Sequence, residues 1–215
     1  MGEEVKVMKR RSAGKRNSVC GTPATPAATA TLVPEAPSLE QLPASCHREG
    51  LATFVGRRLG VCFAYPQDFT LSKDGQENVE VRGPDASTGP EPLFASLTIE
   101  AVPYQGVDLG PFVDEYLKAN VPAGFPAEVE RQQILMGGHG AAVLEPMPGR
   151  LSSRTVIVDY SPISFYIMTF WPSFAGTEPD KVNAEGQQAQ QDMDTLFAVG
   201  AATVATLPPP ALAGG

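Results

Sequence analysis

Three cysteines and two histidines carry the most reactive side chains of this 215-residue chain. They are Cys20, Cys46, Cys62, His47 and His139. None of them forms a C-x-x-C or H-x-x-H pair, so the sequence predicts no zinc or other metal site. Cys46 and Cys62 lie 16 positions apart, on either side of a predicted hairpin, and could form a disulfide in an exported protein. The alternative is one thiol buried in a strand and one exposed thiol.

The sequence offers few candidates for catalysis. His139 lies among the glycines of residues 137–140, but these glycines do not open a helix, as a phosphate cradle requires, and a hairpin turn is predicted instead. The G-x-S-x-G motif of serine hydrolases does not occur. Glu145 and Asp159 could form the acid pair of a glycosidase, although acidic residues on strands are commonly solvated. We therefore predict no catalytic residue and no cofactor.

The net charge of −8 is unevenly distributed along the chain. Residues 1–20 contain six Lys or Arg and two Glu, which gives +4. The remaining ten basic and 22 acidic residues give −12 for residues 21–215. Because an acidic body repels nucleic acid and anionic membranes, we expect neither as a direct partner.

Composition divides the chain into four segments. Residues 1–20 are polar and basic without hydrophobic periodicity, which predicts a disordered leader. Residues 21–45 hold five Pro, six Ala and four Thr but no Lys or Arg, which is typical of a stiff linker. Residues 46–207 form the predicted folded domain, and residues 208–215 a flexible tail. No apolar run approaches the length of a membrane span.

Alternating apolar residues predict a central strand pair from Arg154 to Trp171, with its turn at Ser161-Pro162. The second of these strands is apolar on both faces, so it should be covered on both sides. Residues 72–75 are predicted as a polar turn. Six further strands are predicted at residues 51–55, 61–65, 79–82, 93–103, 128–136 and 139–146.

Helical periodicity predicts two helices. The first carries an apolar stripe from Leu109 to Leu117. The second runs from Asp180 to about Thr206, after a capping box formed by residues 177–180. The predicted order, β-β-β-β-α-β-β-β-β-α, indicates an α+β sandwich, which is a mostly antiparallel β-sheet flanked by helices.

The segment from Val61 to Phe69, VCFAYPQDF, resembles the opening strand of PsbP-like domains. Four later elements follow in the order of that family, over residues 50–207. They are the helix after Pro103, the turn at residues 138–142, the strand at residues 166–170 and the closing helix. The resemblance is greatest to the PsbP-like domains of bacterial envelope lipoproteins. It implies an αβα sandwich and a non-catalytic accessory or binding role.

Cys20 is followed by Gly21 and the Thr/Pro/Ala-rich linker, which resembles the start of a mature bacterial lipoprotein. In such proteins the cysteine is lipidated and the tether holds a domain at the membrane. Residues 8–11, Met-Lys-Arg-Arg, would then be the positive part of a signal peptide, although no apolar core follows them. The alternative interpretation of Cys20 is a free thiol in a cytoplasmic tail.

Taken together, these patterns predict a monomeric, non-enzymatic, extracytoplasmic domain on a tether, which binds an unidentified protein of the cell envelope. Membrane attachment would occur only through a lipid at Cys20. The first alternative is a small-ligand or lipid-binding module, with a pocket between sheet and helix lined by Trp171 and Tyr116. The second is a hydrolase, which would need Glu145, Asp159 or His139 within hydrogen-bond reach of one another.

Overall fold

The structure, a computed structural model, describes residues 42–56, 59–74 and 78–207. The predicted leader, Cys20, nearly all of the predicted linker and the predicted tail lie outside the described residues. In the part of the chain that is described, no helix has both the length and the hydropathy to cross a membrane.

Ten strands and two α-helices make up the described fold. In chain order they are β1 Leu51–Gly56, β2 Val61–Pro66, β3 Thr70–Asp74, β4 Asn78–Asp85, β5 Phe94–Pro103, α1 Leu109–Asn120, β6 Glu130–Met136, β7 His139–Met147, β8 Ser152–Tyr160, β9 Ser164–Ser173, α2 Ala184–Thr203 and β10 Ala205–Thr206. Short 3-10 helices at Ala44–Cys46 and Pro179–Lys181 precede β1 and α2.

Seven of the strands form one antiparallel sheet in the order β3-β4-β5-β9-β8-β7-β6. A small sheet of β1, β2 and β10 lies beside it. The predicted hairpin is β8 and β9, which are joined across residues 161–163. Its second strand, β9, is the central strand of the large sheet.

Alternate residues of β9 belong to two separate hydrophobic cores. Phe165 and Ile167 pack under α1, together with Val113 of that helix. Tyr166, Met168 and Phe170 pack on the opposite face, with Met193 and Leu196 of α2 and with residues of the small sheet. A central strand that is apolar on both faces requires cover on both faces. The predicted fold class, an antiparallel sheet between helices, is therefore confirmed.

Three local predictions differ from the structure. The second helix ends at Thr203 instead of about Thr206, because residues 205–206 pair with β2 as β10. Residues 70–74 form strand β3 rather than leading into a turn at residues 72–75, because they pair with the apolar strand β4. The second helix begins at Ala184 instead of Asp180, because Asn183 caps it by accepting a hydrogen bond from the Gly186 N–H at 2.9 Å. Of the predicted capping residues, Thr177 and Glu178 precede a 3-10 helix, and Pro179 and Asp180 lie within it.

The start of the domain is joined covalently to β2. Cys46 and Cys62 form a disulfide with their Cα atoms 5.7 Å apart, and both are fully buried. Cys62 also lies opposite Ala205 of β10. The Thr203 hydroxyl accepts a hydrogen bond from the Ala64 N–H at 2.9 Å, so the end of α2 is held against the same strand.

A charge network fastens α2 to the large sheet. The Arg154 guanidinium donates to Glu145 at 2.7 Å and to Asp194 of α2 at 2.9 Å. Its Cζ atom lies 4.6 Å from the centroid of the Phe197 ring, and Glu145 also accepts a hydrogen bond from the Ser173 hydroxyl. The side chains of Arg154 and Glu145 are each only 16% exposed, so this pair is shielded from solvent.

Removing the disulfide should destabilise the domain. Closing a loop of this length lowers the entropy of the unfolded chain, and the double variant Cys46→Ala/Cys62→Ala should lose about 3 kcal/mol of unfolding free energy. Urea denaturation would measure the loss, with Cys20→Ala as the control that leaves the disulfide intact. Equal midpoints for the double variant and the control would contradict a stabilising role.

The Arg154 network gives a second stability prediction. Arg154→Met should cost about 3 kcal/mol, because it leaves the shielded Glu145 carboxylate without its counter-charge. Adding Glu145→Gln to that variant should restore most of the loss. The matched control is Arg150→Met, which removes a pair with Glu91 whose side chains are 79% and 74% exposed and should change little. Similar denaturation midpoints for the two arginine variants would contradict the prediction.

Candidate functional site

Helix α1 covers only part of its face of the large sheet. Its apolar side packs over β7, β8 and the first half of β9, where Phe112 stacks on Phe165 with ring centroids 4.1 Å apart. Farther across the sheet, Thr98 and Glu100 of β5 are exposed and the Arg82 side chain of β4 is 40% exposed. No helix in the described residues covers this part of the face.

We call this uncovered surface the open face. The strand registers place its members side by side on β4, β5 and β9: Glu80, Arg82, Phe94, Ser96, Thr98, Glu100, Thr169 and Trp171. Among these, Glu80 and Ser96 are themselves buried. Their neighbours in sequence, such as Val81, Leu97 and Phe170, point into the core under α2. The open face is therefore the outward half of a period-2 pattern.

Aromatic and charged side chains form a connected row across the open face. The Trp171 and Phe94 rings meet edge to face, with centroids 5.9 Å apart. The Arg82 guanidinium lies over the Phe94 ring, with its Cζ atom 4.7 Å from the ring centroid. Its Nε donates to Glu80 at 2.8 Å. Trp171, the only tryptophan of the chain, is half-buried at the end of this row.

Threonines form the floor between this row and α1. Thr98 of β5 lies opposite Thr169 of β9, which in turn lies opposite Thr155 of β8. Tyr116 of α1 borders the same floor and hydrogen-bonds with Thr155. Burial raises the pKa of Tyr116, the Thr155 hydrogen bond opposes that rise, and the negative charge of Glu100 adds to it. The Tyr116 phenol is therefore protonated and neutral at physiological pH.

The residues predicted to line a ligand pocket thus border an open surface. Tyr116 and Trp171 lie on the same face of the sheet, on either side of the threonine floor. Among the described residues the structure has a cavity of about 20 Å³ beside His139 and open grooves of about 510 and 430 Å³. Neither Tyr116 nor Trp171 lines any of these three. The cavity is far below the roughly 300 Å³ that small-ligand sites occupy.

The candidate acid and base residues are dispersed. Glu145 binds Arg154 and Ser173, whereas Asp159 accepts a hydrogen bond from the Ser161 N–H at 2.8 Å. Asp159 lies five positions after Arg154 on β8, which is roughly 17 Å of extended strand. The His139 ring packs against Tyr160, with centroids 4.2 Å apart. None of these three predicted groups is placed to act with another.

The described residues also contain no group of three or more His, Cys, Asp or Glu side chains arranged to hold a metal ion. His47 is exposed, and the neighbouring Cys46 is committed to the disulfide.

Sequence reasoning singled out Trp171 and Tyr116 but missed Arg82, Phe94 and the threonine floor. A usable signal was present, because Phe94, Ser96, Thr98 and Glu100 alternate with apolar residues along β5. The pattern shows that one face of β5 is not core. It does not show that β9 lies beside it, since that pairing joins residues about 70 positions apart.

No protein-family model and no curated protein matches the sequence. Among solved structures, the chain is similar to the Ran-binding protein Mog1p of Saccharomyces cerevisiae, with 9% identity, a TM-score of 0.43, and coverage of 73% of this chain and 95% of that one. A mutant of Mog1 matches with 10% identity, a TM-score of 0.39, and coverage of 69% and 91%. A protein of Bacteroides thetaiotaomicron matches with 14% identity, a TM-score of 0.35, and coverage of 73% and 48%. Similarity at this level identifies neither a function nor a partner for this chain.

Proposed function

We propose that this protein is a non-catalytic protein-interaction domain that binds its partner through the open face. The observation that carries the proposal is the row formed by Trp171, Phe94 and Arg82 on a sheet surface that no described helix covers. Tryptophan and arginine are the residues most enriched among the energetic centres of protein interfaces. Arg82 and Trp171 are also pre-ordered by their contacts with Phe94, which lowers the entropy lost on binding.

The charge of the chain indicates what kind of surface the partner presents. Residues 21–215 carry −12, and the open face itself contains the exposed carboxylate of Glu100. The Arg82 charge is balanced by its contact with Glu80. A partner with an apolar centre and a basic rim would complement this surface and would be attracted to it over a distance.

A second part of the proposal concerns location: the domain is extracytoplasmic and tethered through Cys20. Three observations support it. The Cys46–Cys62 disulfide is a bond that persists in oxidising compartments. Cys20 is followed by a linker with the composition of a tether, and the domain resembles those of envelope lipoproteins.

The open face can be tested by photocrosslinking in the native host. Benzoylphenylalanine in place of Thr98 should give one discrete crosslinked species larger than the protein, because Thr98 is exposed at the centre of the open face. The matched control places the same group at Ala198, which is exposed on α2. Equal products from both positions, or none from Thr98, would overturn the proposed site.

Binding to the captured partner should depend on the aromatic row. Trp171→Ala should weaken the affinity at least about 30-fold, the effect of losing a side chain worth about 2 kcal/mol. Because Trp171 is half-buried, the second variant is Arg82→Lys, which keeps a positive charge beside the shielded Glu80 carboxylate and removes the planar guanidinium that lies over Phe94. Calorimetric titration would measure both variants. Wild-type affinity in both would show that the row does not bind.

The tether can be tested separately by intact-mass analysis of membrane and soluble fractions from the host. The expected species lies in the membrane fraction, begins at Cys20 with added acyl mass, and gains two hydrogens on reduction. A soluble full-length chain with all three thiols free would contradict the location without affecting the binding proposal.

A further inference from the structure

The two edges of the seven-stranded sheet are built differently. Strand β3 is five residues long, and its pairing with β4 shifts register between Leu71 and Lys73. Bulges, lysines and short length are the usual means by which proteins prevent an edge strand from pairing with another chain. At the other edge, β6 is seven residues long, pairs with β7 without a register shift from Glu130 to Met136, and contains neither lysine nor proline.

Strand β6 also presents an apolar contact at its free edge. Leu135 is 76% exposed, the highest value among the large exposed hydrophobic residues described. It borders an open groove of about 430 Å³ together with Leu109 of α1 and Ile134. No described strand pairs with the outer side of β6, which is the last strand in the sheet order. Its outward N–H and C=O groups are therefore available to a further strand.

Charge makes the two ends of β6 unlike each other. Glu128 and Glu130 are exposed at its start. The nearby Arg131 is held by Asp114 of α1 at 2.9 Å, so its charge is balanced. The start of the edge is therefore acidic, and its end, at Leu135, is apolar. An added antiparallel strand complements both ends if its N-terminal half is apolar, beside Leu135, and its C-terminal half is basic, beside the acidic start of β6.

A second copy of this chain fits the edge poorly. Each copy carries −12 over residues 21–215, so two copies repel one another. Pairing β6 with itself would also place Glu128 and Glu130 of both copies at one interface. Strand β6, all of which is described, has no unpaired cation to offset these charges, because Arg131 is already paired with Asp114.

We infer that the β6 edge is a second binding site, which accepts an extended segment of a partner protein as an added antiparallel strand. The segment places an apolar residue beside Leu135 and Lys or Arg beside Glu130. This site does not rest on the open face, because β7 and β8 separate β6 from β9.

The test uses the full-length chain and a synthetic peptide of about nine residues, with valines in its N-terminal half and lysines in its C-terminal half. Amide chemical shifts of the protein, followed during titration, should change most at residues 130–136. The control peptide is identical except for N-methyl groups on alternate backbone amides, which remove strand hydrogen bonds and keep the charge. It should bind at least about tenfold more weakly, since it lacks the hydrogen bonds that give strand addition its affinity.

Variants of the protein distinguish binding at the β6 edge from non-specific attraction of the basic peptide to the acidic protein. Leu135→Lys and Glu130→Lys should each lower the affinity for the peptide at least about tenfold. Their matched controls are Ile163→Lys, at a residue 68% exposed on the β8–β9 turn, and Glu49→Lys, at an exposed glutamate outside the edge. Equal binding of the N-methylated peptide, equal loss in the controls, or shifts located elsewhere would overturn the inference. Self-association of the wild-type chain that Leu135→Lys abolishes would also overturn it, in favour of a second copy.

Discussion

The structure depends on one constraint, which is that β9 must be buried on both faces. Its side chains alternate between the core under α1 and the core under α2, with Phe165 on one side and Phe170 on the other. Such a strand is stable only at the centre of a sheet with a layer on each side. The fold meets this requirement in three ways. Strand β9 is central in its sheet, a helix packs on each face, and the small sheet completes the core under α2.

The same constraint explains why the fold class was readable from the sequence while several elements were not. The β8–β9 hairpin and the α1 stripe are strong local patterns, and their composition decides their structure. Strand β3 has a polar sequence and exists because Val79 and Val81 of β4 hold its partner strand in the core. Strand β10 is two residues long and is defined only by its pairing with β2. Tertiary pairing decides such segments, and local propensity does not.

The surfaces proposed for binding were less predictable for a related reason. A single strand reveals which of its residues face outward, as β5 does, but the strand beside it is set by the topology of the whole sheet. The row of Trp171, Phe94 and Arg82 combines residues from β9, β5 and β4, and the Arg154 network combines β8, β7 and α2.

The disulfide has a mechanical consequence. Because Cys46 is bonded to Cys62, tension applied to the chain before Pro43 passes through sulfur directly into β2. Residues 47–61, which include all of β1, lie within the loop that the disulfide closes. Tension on the chain therefore cannot extend them while the bond is intact. Strand β2 is itself flanked by β1 and β10, so the pull would meet hydrogen bonds on both of its sides. Reduction of this one bond would add the 15 residues from 47 to 61 to the segment that such tension can extend.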